Sequence, residues 1–373
     1  PFIRPTFPDP SMVAAEYEEI VRSNWFTNFG PKERRFTQAL AEYIGNECAV
    51  ATFANGSLAL LAAIHSSTGY GSRDKYLLMP SFTFAAVAES AIWLGYRPWF
   101  IDIDPHTWQP SLPAAQEILE SHRDEVAGIL LTNAFGVGNP QIDDWEACAA
   151  EWDLPIVIDS AAGFGSAYTD GTKLGTRGTC EIFSFHATKP FAVGEGGALA
   201  SRDAKLVDHA RDFTNFGFAP KSRECATLGL NAKMAEMSSA IGLRQLIDFD
   251  QRLASRREVF SAYKRELADL DLQFQPNAEV SSLCFASIVC SSAIQKASML
   301  ASLQAFAVQA RDYYNPPQHC HPYFQANPEL TREADLSVTA DICSRIISVP
   351  IHDHMDPADV ARVVEAITSY RHL

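Results

Sequence analysis

Three stretches of this 373-residue sequence bring together residue types that could do chemistry, and the first centres on a lysine. In Phe183-Ser-Phe-His-Ala-Thr-Lys189-Pro-Phe-Ala-Val-Gly-Glu-Gly-Gly197 a short aromatic strand runs into Lys189, and a glycine-rich turn follows. Apolar surroundings disfavour an ammonium, which frees the amine as a nucleophile or base near neutral pH, as Schiff-base chemistry requires. The plain alternative is a solvated lysine after a strand. The flanking Phe, His, Ala and Pro-Phe are poor company for one. His186, beside the lysine, reads as structural, because a Schiff-base lysine already supplies acid and base.

The second stretch, Pro155-Ile-Val-Ile-Asp159-Ser-Ala-Ala162-Gly-Phe-Gly165, ends an apolar strand on a carboxylate and follows it with small residues. Such an anion can hold a pyridinium proton, a charge-assisted bond of roughly 1.5–3 kcal/mol, and the small residues leave room for a flat ring. It can equally cap a helix, bind a metal or hold a ribose. No Gly-x-Gly-x-x-Gly follows the first strand and the Walker lysine pattern is absent, which weakens the nucleotide readings.

In the third, Thr52-Phe-Ala-Asn55-Gly56-Ser57 turns from a strand into an apolar helix, so free backbone N–H groups and the Ser57 hydroxyl can cradle a phosphate. An ordinary N-cap would look the same. Phe84, just past a strand in Pro80-Ser-Phe-Thr-Phe84, could stack on a ring or pack in the core. In His319-Cys320-His321 adjacent side chains on extended chain point to opposite sides and no fourth ligand stands at a usual spacing, so no metal site is expected. His319 and Tyr314 are candidate substrate contacts, with a satisfied loop residue as the alternative for each.

Positioning these groups falls to apolar runs of strand length that alternate with helical patterns: 48–53, 76–79, 99–103, 129–132, 156–159, 182–185 and 198–201. Short buried strands interleaved with helices predict a mostly parallel, mixed seven-stranded sheet between helices. Ligands of such sheets collect beyond the carboxyl ends of the strands, where the three stretches would meet. Ahead of the sheet, helices are expected over 12–21 and 32–43. After Gly229, apolar residues at helical spacing from Met234 to Tyr263 predict one long helix. Beyond it come strands at 283–289, 308–311 and 345–349, a helix at 293–306, and a last helix with Asp356 as N-cap and Pro357 in its first turn. Residues 1–249 are expected to form a large domain and residues 250–373 a smaller C-terminal α/β domain.

Composition narrows the class. With 47% hydrophobic and 20% charged residues the chain reads as a globular enzyme, and a net charge of -15 argues against nucleic-acid binding. No apolar run approaches the roughly 20 residues that span a bilayer, and Pro1-Phe-Ile-Arg-Pro-Thr lacks a signal peptide's apolar core, so a cytoplasmic protein without membrane contact is expected. Eight scattered cysteines read as reduced thiols.

These segments, in this order, resemble the DegT/DnrJ/EryC1/StrS sugar aminotransferase family, which has the aspartate-aminotransferase fold and depends on pyridoxal 5′-phosphate. The resemblance runs over nearly the whole length. It takes in Trp25 to Pro31, Asn55-Gly-Ser, Pro80-Ser-Phe-Thr-Phe, Phe100-Ile-Asp-Ile-Asp104, Asp159-Ser-Ala-Ala, the Lys189 motif, Gly229-Leu-Asn231-Ala-Lys-Met, Tyr313-Tyr-Asn-Pro-Pro-Gln-His319 and Ser348-Val-Pro-Ile351. It implies that Lys189 carries the cofactor as an internal aldimine and shuttles the proton, with Asp159 on the ring nitrogen. It further implies that Phe84 stacks on the ring, that Gly56, Ser57 and Ser184 hold the phosphate, and that Asn231 reaches the phosphate from the other subunit of a homodimer with shared active sites. Two positions depart from the family pattern. Ala162, in the cofactor-binding set, stands where His or Gln is usual, and Ser57 where Thr is common.

The reading that follows is an aminotransferase passing an amino group from glutamate or glutamine, through pyridoxamine phosphate, to a keto group of a nucleotide-linked deoxysugar. A keto-cyclitol or other cyclic ketone in antibiotic assembly is the near alternative, and a non-catalytic regulator with this fold the distant one. Deoxygenating relatives carry histidine in place of the lysine, and Lys189 argues against that class.

Overall fold

The computed structural model describes residues 1–45, 47–219 and 224–372. The apolar runs that alternate with helical patterns become strands β1 (Ala49–Phe53), β2 (Tyr76–Pro80), β3 (Arg97–Ile101), β4 (Val126–Thr132), β5 (Ile156–Asp159), β6 (Cys180–Ser184) and β7 (Gly197–Ser201). Nearly every residue in them is buried, because helices cover the sheet on both faces and leave no solvated side on which polar residues could alternate. Two apolar clusters result, one on each face. Phe36, Leu40, Trp145 and Phe164 belong to one, and Leu60, Ile64, Val87 and Phe213 to the other.

The sheet order is β1-β7-β6-β5-β4-β2-β3-β10, with β7 antiparallel to both of its neighbours and the remaining pairs parallel. The expected count of seven is therefore corrected to eight. The added edge strand β10 (Arg332–Glu333), parallel to β3, spans only two residues and carries no apolar run to announce it.

β8 (Leu272–Phe274), β9 (Ala286–Cys290) and β11 (Ile346–Val349) form a second, antiparallel sheet in the order β11-β9-β8. Its core includes Ile288, Ile347, Val349, Met299, Phe260 and Tyr263. A fourth, largely aromatic cluster joins residues of both sheets' surroundings and includes Phe2, Phe82, Trp108, Phe135 and Phe285.

Two expectations in this half need correction. The long helix is two, Glu236–Gln245 and Phe249–Glu266. The first packs so closely on the helix Pro31–Ile44 that a Cβ at Gly242 would lie 2.4 Å from the Phe36 ring. The chain then breaks at exposed Ile247 and restarts at Asp248, whose carbonyl accepts from Arg252 N–H. Residues 308–311 form no strand. Only Arg311 pairs, through a two-bond bridge with Ser348. The short strand β8, by contrast, was not expected, because Leu272-Gln-Phe offers too few residues for a periodicity.

Candidate active site

A cavity of about 480 Å³ opens beyond the carboxyl ends of β1, β2, β4, β5 and β6. Its walls include Gly56, Ser57, Phe84, Asp159, Ala162, Ser184, Lys189 and Tyr314, so the structure brings eight of the ten predicted residues together. The other two lie elsewhere. The His319 ring is held by Ser81, Nδ1 to Oγ 2.7 Å, and is not among the cavity walls. Asn231 is exposed outside this cavity, its Oδ1 accepting from Lys233 Nζ at 2.7 Å.

The turn after β1 is shaped by Asn55, which caps the helix Gly56–Thr68 by accepting from Leu58 N–H at 2.9 Å. Helix geometry leaves the Gly56 and Ser57 N–H groups without an intrahelical acceptor. Ser184, at the end of β6, closes on this turn: a Cβ at Gly56 would stand 2.8 Å from the Ser184 Cβ. A Cβ at Gly197 would stand 2.6 Å from the Asn55 carbonyl oxygen. Two glycines are thus required for strand and turn to approach, and the result is a concave set of N–H and hydroxyl donors suited to an anion.

Asp159 is buried, and one carboxylate oxygen accepts from Ala161 N–H at 2.9 Å. Burial raises its pKa, while the Ala161 N–H and the Lys189 charge pull it back. A desolvated carboxylate with one oxygen toward a cavity favours a cationic partner. Lys189 is half-buried, its backbone N–H tied to the His186 carbonyl at 2.9 Å. Among the described residues its amine has no carboxylate within 4.0 Å. His186 is held through Nδ1 by Thr188 Oγ1 at 2.8 Å, with Glu195 Oε1 3.7 Å from Nε2, beyond hydrogen-bond reach. Phe84 is 61% exposed although apolar, at the cavity wall.

Opposite, the wall is apolar. Tyr314 stacks on Phe135 at 5.2 Å and 11°, and burial followed by the nearby Asp159 charge raises its phenol's pKa. Ile3, Phe135, Cys284, Phe285 and Tyr313 complete this side and are the residues that sequence reasoning missed. Ile3, Cys284 and Phe285 lie far along the chain from the motifs, and nothing in their neighbourhood distinguishes them from core residues. Phe135 stands three residues beyond the end of β4, a position the strand-end rule could have flagged.

Donors for an anion, an apolar slot and a buried carboxylate fit a flat, phosphorylated, cationic ring, and the amine of Lys189 stands in the same cavity. The model of the DegT/DnrJ/EryC1/StrS aminotransferase family matches residues 11–368. This chain belongs to that family. The fold class is accordingly that of an aminotransferase. It is 63% identical over 367 residues to Protein Rv3402c of Mycobacterium tuberculosis H37Rv, covering 98% of this chain and 89% of that protein. A dTDP-4-amino-4,6-dideoxy-D-glucose transaminase of Shigella dysenteriae is 28% identical, with 94% of each chain covered. Among solved structures, a putative PLP-dependent aminotransferase from Bacillus cereus ATCC 10987 superposes with a TM-score of 0.91 at 32% identity, over 99% of both chains. No helix among the described residues is long and apolar enough to cross a membrane.

Proposed function

We propose that this aminotransferase moves an amino group from glutamate or glutamine to the keto group of a nucleotide-linked deoxysugar, using pyridoxal 5′-phosphate. The observation that carries the reading is the meeting of the Lys189 amine, the Asp159 carboxylate and the Gly56–Ser57 turn in one cavity wall. Likeness to the Shigella transaminase supports the sugar acceptor.

Pyridoxal phosphate, when bound, supplies an electron sink for the pair released as a proton leaves the carbon bearing the amino group. The rest is done by the chain. Gly56 and Ser57 N–H groups with the Ser57 and Ser184 hydroxyls hold the phosphate, and Phe84 covers one face of the ring. Ala162 adds only a methyl on its side, where the family commonly has a polar side chain. Asp159 accepts the ring N–H and keeps that proton in place, the role its burial and single backbone partner suit. Lys189 Nζ takes the proton from the donor's α-carbon and returns one to the acceptor's carbon, as a positioned base. Tyr314 and Phe135 line the side where the acceptor would enter and help exclude water.

We further propose a homodimer in which Asn231 reaches the partner's phosphate. In support, Asn231 is exposed and flanked by exposed apolar side chains at Phe216, Leu228 and Leu230, an arrangement that favours a protein contact. The eight free cysteines, six of them buried, support a reducing, cytoplasmic setting.

The test is incubation with pyridoxal phosphate, glutamate or glutamine, and either a nucleotide 4-keto-6-deoxysugar or a keto-inositol. Amine product from the nucleotide sugar is expected. Product from the cyclitol alone would move the acceptor to that class, and no product with either acceptor would overturn the reading.

A further inference from the structure

On β6, beside the residue that precedes Asp159, lies a polar group that the reaction does not use. Glu181, the second residue of β6, is fully buried, and no cation approaches its carboxylate within 4.0 Å among the described residues. The nearest arginine, Arg177, gives it only a backbone N–H at 3.2 Å and sends its guanidinium to Asp143, Glu146 and Asp170. Isolated buried carboxylates are costly unless donors surround them. Here Tyr168 OH donates to Oε1 at 2.6 Å and Ser160 Oγ donates to Oε2 at 3.0 Å.

The direction of each bond in this cluster follows from one backbone group. Asn139 N–H donates to Asn133 Oδ1 at 2.9 Å, so the Asn133 amide must turn its Nδ2 the other way. That Nδ2 donates to Ser160 Oγ at 2.8 Å and to Tyr168 OH at 3.3 Å. Both hydroxyls therefore have their protons left for Glu181, and both bonds are made when Glu181 accepts on both oxygens, as an ionised carboxylate does. Burial pushes its pKa up to about 7 while these donors pull it down.

The two residues so gripped flank Asp159. Asn133 N–H donates to the Asp159 carbonyl at 2.9 Å across β4 and β5, and Ser160 is the next residue in the chain, its own N–H tied to the Ile182 carbonyl on β6 at 3.0 Å. We propose that Glu181 is a positioning residue for Asp159: as a buried anion it fixes the hydrogen-bond polarity of Ser160, Tyr168 and Asn133, and through them the aim of the Asp159 carboxylate. This rests on the reading that Asp159 meets a ring nitrogen.

The experiment compares the affinities of the full chain, freed of cofactor, for pyridoxal phosphate and for 1-deazapyridoxal phosphate, whose ring carries carbon in place of nitrogen, at pH 8. Their ratio reports the Asp159 contact and cancels losses common to both ligands. Wild type is expected to favour the nitrogen-bearing ligand at least about tenfold, and Asp159→Ala to show almost no preference. Glu181→Gln, which aims an amide donor at the Ser160 or Tyr168 hydroxyl, should fall most of the way to Asp159→Ala. With its oxygen kept toward Tyr168 and the Arg177 N–H, the amide introduced by Glu181→Gln turns its donor to Ser160; adding Asn133→Asp turns the donor on the other side of Ser160 Oγ into an acceptor, and most of the preference should return. Ser160→Ala, a milder change that removes the shorter of the two hydroxyl links from Asn133 Nδ2 toward Glu181 and the one borne by Asp159's chain neighbour, should lower the ratio like Glu181→Gln and carries the test if the latter does not fold. A wild-type ratio in Glu181→Gln and Ser160→Ala overturns the inference while leaving Asp159 its role. A double variant no better than Glu181→Gln overturns the polarity argument, and no preference in wild type removes the Asp159 reading and this inference together.

Discussion

Asp159 and Lys189 carry opposite demands in the same cavity, and each can be tested alone. Asp159→Asn keeps the shape, removes the charge and exchanges one acceptor oxygen for an NH2 donor. Its fold should survive and its turnover fall roughly 10- to 100-fold, the worth of a charge-assisted bond against a neutral one, as read in steady-state kinetics. Near wild-type turnover would mean that the ring nitrogen is served from elsewhere. Both residues were legible in the sequence because their signals are local: an apolar strand ending on a carboxylate, and a lysine between aromatics and glycines. Glu181 was not, since one acid inside Cys180-Glu-Ile-Phe-Ser184 reads as an interruption of a strand until Tyr168, Ser160 and Asn133 are seen around it.

At the scale of elements, the phosphate cradle depends on how closely β6 approaches the start of the helix Gly56–Thr68. Gly56→Ala would drive a methyl to 2.8 Å from the Ser184 Cβ, backbone-borne on both sides and unable to swing away. Overpacking of this kind costs about 1–3 kcal/mol, so affinity for pyridoxal phosphate should drop about 5- to 160-fold by titration, with the far-ultraviolet circular dichroism unchanged. The strands beside this turn were legible because burial on both faces makes them continuous apolar runs. Elements set by pairing rather than pattern were not. β10 exists because two residues meet the edge of β3, and β8 because three meet β9, while the helix break near Ile247 carries no proline or glycine to announce it. Ile3 and Phe285 belong to the cavity for the same reason, as long-range neighbours that local spacing cannot report.

For the molecule as a whole, acid sensitivity should have an identifiable source at His352, which is buried with Nδ1 unpartnered. Burial, with the charges of Arg256 and His354 adding, lowers its pKa from 6.5 to about 4. With the folded value below the unfolded one, the unfolded chain takes up the proton first. The contribution is intact above about pH 6.5 and is lost as pH falls toward about 4. A denaturant melt series over that range should show the decline, and His352→Gln should flatten it. The proposed dimer makes a separate prediction. Lys189→Ala and Asn231→Ala subunits, each inactive or impaired alone, should regain about half of wild-type activity per heterodimer when mixed, because one of the two shared sites is then intact. No gain on mixing would confine each site to one chain. Most directly, the proposed function requires the amine at 189 to bond to the cofactor's aldehyde carbon. Borohydride reduction of the pyridoxal phosphate complex, followed by proteolysis and mass spectrometry, should find a phosphopyridoxyl group on Lys189 and none in Lys189→Ala. A label on another lysine, or a wild-type chain that binds the cofactor and takes no label, would contradict it.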